Sequence, residues 1–323
     1  MTDPNSHTAS EPSIDDLEVV LVSYRSRHHV EELLNGWPPG LAVAVVDNSA
    51  NSDGLADFVT TRSQVRYLSG NGQGFARGAN LGAFTSTKPY VVFVNPDCRP
   101  ILEQILSLAR GVAADENAIT HAATPVNHEG GIDLGVGGWE PSIPRSIVHA
   151  LGIHHVAPSS GLFAHPRVGE HIDVDWVTGT CMAVHLGRFR EVGGFDETFF
   201  VYCEDTALGH RARQRGWHCV LRDDVLVLHG TGSSGAPSSE MRRLQGASYA
   251  TYLRRYGKSR LQAVTMANLY VLGCLWRGIA LTVTGRRARA AATWSIVRGM
   301  VTRRAFVGGI EVAHARAVEN GAG

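Results

Sequence analysis

Paired cysteines, an excess of either charge and a long unbroken apolar run are all missing from this chain, and each absence removes a class of explanation. The cysteines (Cys98, Cys181, Cys203, Cys219 and Cys274) are odd in number, scattered and without a CxxC pair. Neither a disulfide framework nor a structural zinc site is expected, and the chain reads as a reduced, cytosolic protein. Its 30 basic and 30 acidic residues cancel, so whole-chain charge gives no support to nucleic-acid binding. No apolar stretch precedes Leu17, where a secretory signal would carry one. Residues 1–16 are polar, contain two prolines and are expected to be disordered. The most apolar later segment, Ala263 to Thr284, is interrupted by Asn268 and Arg277. It reads as an interfacial or core helix and not as a membrane span. Acidic residues are locally absent as well, with no Asp or Glu between Met241 and Arg304. A basic, apolar tail of this kind suits an anionic surface such as lipid headgroups.

What is present is an alternation of buried strands and amphipathic helices. Leu17 to Ser23 reads as a strand, and Ser26 opens a helix with Val30, Leu33, Leu34 and Trp37 on one face. Leu41 to Val46 is a second strand closing on Asp47-Asn48-Ser49, and Val65 to Leu68 a third. A glycine-rich loop, Gly70 to Gly82, leads into a helix over Ala76 to Ser86, and the next strand ends at Asn95-Pro96-Asp97. Pro100 then opens another helix. The alternation predicts an α/β fold, Rossmann-like, with a doubly wound and mostly parallel sheet. Residues 121–172, rich in Gly, Pro and His, break the rhythm and read as a loop-rich insertion or lid. Order resumes at Val174 to Val184, then a helix from Glu204 to Gln214, strands at Trp217 to Leu221 and Val225 to Leu228, and a basic helical extension. The expected divisions are 1–16, 17–120, 121–172, 173–238 and 239–323.

Candidate chemistry gathers where strands end, because open α/β sheets bind ligands at the carboxyl edge. Pro96 cannot join a ladder, so it stops the buried run Val91 to Val94 and presents Asp97 just past that edge. A carboxylate there holds a cation, a ribose or a reacting proton, or caps the next helix. Asp47 ends the second strand and suits a ribose hydroxyl, a pyrimidine imide N–H or a simple Asx-turn. The loop from Gly70 has Arg77 where a dinucleotide fingerprint needs its third glycine, and it lacks the Gly-Lys-Ser/Thr of a P-loop. A flexible backbone near a helix N-terminus remains, either an anion cradle or a tight turn. Glu204 and Asp205 stand at a helix start, about 100° apart, so only one faces a given site. His229 follows a strand and precedes Gly230-Thr231-Gly232-Ser233-Ser234, suiting a metal or phosphate contact. The run His149, His154, His155, His165 and His171 lacks ligand spacing and reads as loop composition.

Taken together, VVLVSY (19–24), VVDNSA (45–50), GNGQGFARGANLG (70–82), VVFVNPD (91–97), WVTGTCMAVH (176–185), EVGGFDETFFVYCEDTALGHRARQRGW (191–217) and VLHGTGSS (227–234) resemble family 2 glycosyltransferases of the GT-A fold. Within that family they are similar to the bacterial rhamnosyltransferase-like branch. The resemblance covers most of residues 17–235. It implies a nucleotide-sugar-binding half over 17–120 and an acceptor half over 173–238. Ser23, Tyr24 and Asp47 would line a nucleoside pocket, with Asn71, Phe75, Arg77 and Asn80 along the ribose and diphosphate. Asp97 with His229 would hold Mg²⁺ or Mn²⁺. Asp205 matches the general base, Glu204 lies in the acceptor region, and Trp176, Thr178 and Gly179 would floor the sugar site. Asn95 stands where the family's metal motif has its first aspartate, which leaves strict metal dependence open.

The reaction implied is inverting transfer from a dTDP- or UDP-sugar, with rhamnose favoured, to a lipid-linked or cell-envelope glycan. Arg254, Arg255, Lys258, Arg260, Arg277, Arg286, Arg287 and Arg289, with Trp276 and Trp294, would then seat the enzyme on the cytoplasmic leaflet. The same helices could instead close the site or form a homodimer. The competing readings are a nucleotidyltransferase or sugar-nucleotide synthase, and a non-catalytic nucleotide-sugar or glycan-binding module.

Overall fold

The computed structural model describes residues 11–132, 135–230 and 238–302. The first layer runs β1 (Leu17–Ser23), α1 (Arg27–Gly36), β2 (Ala42–Asp47), α2 (Leu55–Val59), β3 (Val65–Ser69), α3 (Phe75–Phe84), β4 (Tyr90–Val94) and α4 (Leu102–Ala114). It continues through β5 (Ala118–Val126), β6 (Gly137–Gly138), α5 (Ile143–Leu151), β7 (His171–Val174), β8 (Trp176–Val177) and β9 (Cys181–His185). The chain then adds α6 (Leu186–Glu191), α7 (Glu204–Arg213) and β10 (His218–Leu228), and three long helices close it: α8 (Ser238–Tyr256), α9 (Arg260–Val283) and α10 (Arg287–Thr302).

Eight strands form one sheet in the order β3-β2-β1-β4-β9-β5-β10-β7. β1 pairs in parallel with β2 and β4, and β2 with β3. β9 runs antiparallel between β4 and β5, β10 pairs in parallel with β5, and β7 closes the edge antiparallel. Valines fill β1, β2 and β4 because both sheet faces are covered. One core, with Val30, Leu33, Ile105 and Leu108, lies under α1 and α4, and a second, with Ala76, Ala79, Phe189 and Leu208, lies under α3, α6 and α7. Gly78 and Gly82 let α3 lie close on the sheet: a Cβ at Gly82 would stand 2.5 Å from a Val20 methyl carbon.

Several expectations change. Residues 11–16 are ordered: Ile14–Asp16 form a 3-10 turn in which the Ser13 hydroxyl accepts from the Asp15 amide and donates to Asp16. Residues 1–10 lie outside the described residues. Strand β5 runs through the boundary expected at 120, and α5 stands inside the segment read as loops. The two strands expected at Trp217 to Leu221 and Val225 to Leu228 are one strand, β10, with a register shift between Arg222 and Leu226. His149 belongs to helix α5 and is buried, stacked between His154 and Tyr270 at 4.7 and 5.3 Å.

The C-terminal helices dock beside the site. Tyr252, Leu253 and Met266 pack with Phe199 and Ala207, the Ser248 hydroxyl donates to the Val201 carbonyl, and Arg255 and Tyr256 bond to Asp196. α9 is long and apolar enough to cross a membrane by length and composition, and 22% of its most apolar window is buried. Its length and composition thus depart from the expectation that it is not a membrane span; Ala263, Met266 and Cys274 are buried, whereas Leu261, Leu272, Trp276, Ile279 and Val283 are exposed. Arg277 on this helix bonds to His149 and to the Gly273 carbonyl. Arg255 and Arg277 are thus engaged internally, whereas Arg254, Lys258, Arg260, Arg286, Arg287 and Arg289 are exposed.

Candidate active site

The carboxyl edge of β4 turns at once: the Cys98 amide donates to the Asn95 carbonyl, and the Asn95 amide to the Thr180 carbonyl. This turn holds Asp97 beside the end of β10, where the Gly230 amide donates to the Asp97 carbonyl and Cys98 bridges His229. His229 Nε2 stands 3.5 Å from Asp97 Oδ1 with both side chains partly exposed. Two residues far apart in sequence are thus brought together as a carboxylate and an imidazole facing one spot. Thr231 to Ser234 of the loop after His229 lie outside the described residues.

That donor pair fits a divalent cation that completes its shell with phosphate oxygens. The imidazole suits Mn²⁺ better than Mg²⁺, which prefers an all-oxygen shell. Cys98 Sγ lies within 4.8 Å of both donor atoms. Burial pushes its thiol well above the usual range, and it donates to the Thr180 carbonyl, so it is a poor ligand for a hard cation.

The second carboxylate pair is set by strained backbone. Tyr202 and Cys203 both adopt left-handed conformations, φ +68° and +67°, immediately before α7. Each costs roughly 1–3 kcal/mol for a non-glycine residue, and together they aim the first turn of α7. Asp205 accepts from the Thr206 amide at 2.6 Å and from the Gly179 amide. Burial raises its carboxyl to about 6. Glu204 is buried, its Oε2 has no hydrogen-bond partner, and burial, followed by the neighbouring Asp205 charge, pushes its carboxyl well above the usual range. Burial thus raises both carboxyls of the pair, with the Asp205 charge adding to the rise of Glu204.

Residues 178–180 connect the two edges. The Thr180 carbonyl receives the Asp97 turn, the Gly179 amide meets Asp205, and the Thr178 and Thr180 hydroxyls lie 2.9 Å apart. The Phe75 ring stands against Gly179, where an added Cβ would meet it at 3.2 Å. Phe75 therefore lies beside Gly179. Trp176 is buried behind this segment, donating to the Trp139 carbonyl. Gly209 of α7 approaches so closely that a Cβ would lie 2.1 Å from the Asp175 carbonyl oxygen.

The glycine-rich loop is not an open anion cradle. Gly74, at φ +92°, brings the Phe75 amide onto the Phe200 carbonyl at 2.7 Å, so a protein carbonyl takes that helix-end donor. Asn80 is 2% exposed; it accepts from the Phe195 amide and donates to the Phe195 carbonyl and Glu197, so it fastens α3 to residues 195–197 and does not reach a diphosphate. Arg77 donates to Gln73 and stands 3.5 Å from Glu197. Asn71 is exposed, with φ +52°. Asp47 is fully buried: it accepts from the amide and hydroxyl of Ser49, the Asn51 amide and the Tyr67 hydroxyl. Of its open readings, the Asx-turn is the one built.

Ligand-ready atoms lie next to these. Ser23 Oγ, Tyr24 OH, Asn48 Oδ1 and Asp53 Oδ1 are buried without hydrogen-bond partners at the carboxyl ends of β1 and β2. Asn48 and Asp53 escaped the sequence reading, because turn-forming residues after a strand look alike until the turn assigns their bonds. Asn95 contributes only its backbone to the described contacts.

No family model matches the chain. It is 25% identical over 230 residues to the low-salt glycan biosynthesis hexosyltransferase Agl10 of Haloferax volcanii, covering 70% of each. It is 24% identical to the rhamnosyltransferase WbbL of Escherichia coli K12 over 59% of this chain and 74% of that one. A 56-residue stretch is 45% identical to the N-acetylglucosaminyl-diphospho-decaprenol L-rhamnosyltransferase of Mycobacterium tuberculosis, 17% of this chain and 18% of that one. In structure it is similar to the mannosyltransferase PcManGT of Pyrobaculum calidifontis, solved with GDP-Man and Mn²⁺: TM-score 0.56, 17% identity, 89% of this chain and 86% of that one. The fold is thus GT-A, and the sequence relatives are sugar transferases. The chain is a glycosyltransferase of the GT-A fold, similar in sequence to hexosyl- and rhamnosyltransferases.

Proposed function

We propose that this enzyme transfers a sugar with inversion from a nucleoside-diphosphate sugar to a hydroxyl of a lipid-linked or cell-envelope glycan, with L-rhamnose from dTDP-rhamnose as the leading donor. The observation that carries the reading is the 178–180 segment, bonded on one side to the Asp97 turn and on the other to Asp205. The mycobacterial relative's name supports both a rhamnosyl donor and a polyprenyl-diphosphate acceptor. GDP-Man and Mn²⁺ in the Pyrobaculum enzyme support a nucleotide sugar with a divalent cation.

In this reading Ser23, Tyr24, Asn48 and Asp53 hold the nucleoside, on a loop shaped by Asp47. Gly179, Phe75 and Thr178 floor the sugar. Asp205, with its carboxyl raised to about 6, is ionised at pH 7 yet more basic than an ordinary aspartate. It takes the acceptor's hydroxyl proton, a contribution of roughly 10²–10⁴-fold. The acceptor oxygen then bonds to the anomeric carbon as the carbon–oxygen bond to the diphosphate breaks on the opposite side. Mg²⁺ or Mn²⁺ held by Asp97 and His229 would supply neutralisation of the departing diphosphate. No enzyme nucleophile is needed.

The acceptor's lipid places the work at the inner face of the plasma membrane. Support comes from the exposed apolar stripe of α9, about 36 Å long by helix rise, with Arg254, Lys258 and Arg260 at one end and Arg286, Arg287 and Arg289 at the other. A helix lying in the headgroup plane meets anionic lipid with both ends. Flotation with anionic vesicles tests this part, and failure to bind removes it. The reaction itself is tested by incubating the protein with dTDP-rhamnose, Mn²⁺ and a polyprenyl-diphosphate N-acetylglucosamine. Release of dTDP with an inverted anomeric centre by NMR is expected, and retention or no transfer from any nucleotide sugar would refute it.

A further inference from the structure

An apolar groove of about 190 Å³ lies between α5 and α9. Ile147 and Leu151 of α5 line one wall, and Leu269, Leu272 and Trp276 of α9 line the other. The walls are fixed by close contact. A Cβ at Gly273 would stand 2.8 Å from the Ala150 Cα, so the two helices touch there at backbone distance. The Trp276 indole N–H donates to the Ala150 carbonyl at 2.6 Å, and Gly152, at φ +72°, ends α5 beside the same ring. Trp276 is 47% exposed, yet its one polar atom is already bonded within the protein, so the ring offers only apolar surface. Leu151 and Leu272 are 65% and 58% exposed. Apolar side chains held in place against water make a site for hydrocarbon.

Charge narrows the occupant. The two segments that supply the walls, residues 141–169 and 241–304, contain no Asp or Glu. Arg254, Lys258 and Arg260 are exposed toward one end of α9, and Arg286, Arg287 and Arg289 just past the other. A hydrocarbon chain with an anionic head matches both features. Position narrows it further. Beside Ala150, His149 stacks on Tyr270 of α9 at 5.3 Å, and Tyr270 meets Tyr249 at 4.7 Å. Tyr249 packs in one cluster with Cys203, the residue before Glu204 and Asp205. A row of packed rings thus runs from the groove to the turn that aims the base, which suits the acceptor's own chain better than a lipid of the surrounding bilayer.

Resting on the lipid-linked acceptor reading above, we propose that the groove between α5 and α9 seats the head-proximal isoprene units of a polyprenyl-diphosphate acceptor. The chain is then held by the protein beside α7, and affinity for the acceptor depends on its hydrocarbon as well as on its sugar.

The test is titration calorimetry of farnesyl phosphate, dodecyl phosphate and inorganic phosphate, each below its aggregation concentration. The native protein is compared with Leu151→Gln, Leu272→Gln and Val156→Gln, the last an exposed apolar position outside the groove. Each groove variant is expected to weaken farnesyl phosphate by about tenfold, the loss of one buried leucine contact, while Val156→Gln binds it as the native protein does. Native-like affinity in both groove variants would overturn the proposal; should Leu272→Gln not fold, Leu151→Gln decides. Dodecyl phosphate bound as tightly as farnesyl phosphate would assign the groove to acyl chains of the bilayer and overturn it too. So would a native dimer that Leu272→Gln dissociates, since a second copy would then cover the groove. In sugar transfer to polyprenyl-diphosphate N-acetylglucosamine, Leu272→Gln should raise KM about tenfold with kcat kept. Unchanged KM would overturn the groove assignment alone, whereas no transfer by the native protein to any lipid-linked acceptor would overturn the function reading on which it rests.

Discussion

The two lips of the site are built by opposite means. Around Asp97 the turn is unstrained and the polar groups remain partly exposed. Around Asp205 two left-handed residues precede the helix, and the carboxylates lie in surroundings that raise both. The first lip suits charge that arrives with a ligand, since an accessible carboxylate and imidazole can share a cation. The second suits a proton, since burial is what lifts an aspartate toward neutrality. At this lip, backbone strain goes with a side chain that is both buried and aimed.

The sharpest break between the lips is Asp205→Asn, expected to lower kcat by roughly 10²–10⁴-fold while leaving Mn²⁺-dependent binding of the nucleoside diphosphate intact. Asp97→Asn should do the reverse in binding, abolishing the Mn²⁺-dependent part of the thermal shift given by the diphosphate. If both variants lose nucleotide binding equally, the division of labour is wrong.

The comparison is sharpened by Gly209→Ala. The new methyl meets the Asp175 carbonyl oxygen at 2.1 Å, so α7 must shift. A loss of about 1–3 kcal/mol is expected from overpacking, read as a lower melting temperature, together with a lower kcat and little change in diphosphate binding.

The smallest effect is that of pH. With Asp205 at about 6, activity should fall as pH drops through 6, about tenfold per unit below it, because the base must be ionised. The stability effect has the opposite sign. A carboxyl raised in the folded state binds more protons there than when unfolded, so its contribution diminishes as pH rises from about 4 to 6. A rate profile flat between pH 5 and 7 would remove Asp205 as the base.

Much of the architecture was legible because buried parallel strands leave an unbroken apolar signature. The strands ending at Ser23, Asp47 and Val94 stand where the valine runs place them. β10 was divided in two because Arg222, Asp223 and Asp224 look like a turn. In fact Asp223 is buried, bonded to Thr124, and Arg222 is held by Asp224 and Ser107. Polar pairs inside a sheet cannot be told from a loop without their partners. Asn80 is a residue of the expected type on the helix behind that edge, but residues 195–197, far along the chain, engage its side-chain amide.

Local rules written in the residues decided the strand order's raw material, the proline that ends β4 and the carboxylate behind it. Only the tertiary structure decided which polar atoms were left over for a ligand. A hydrogen bond needs its partner at about 3 Å, and for Asp205 with Gly179, as for the Asp97–His229 pair, that partner comes from a different element of the chain.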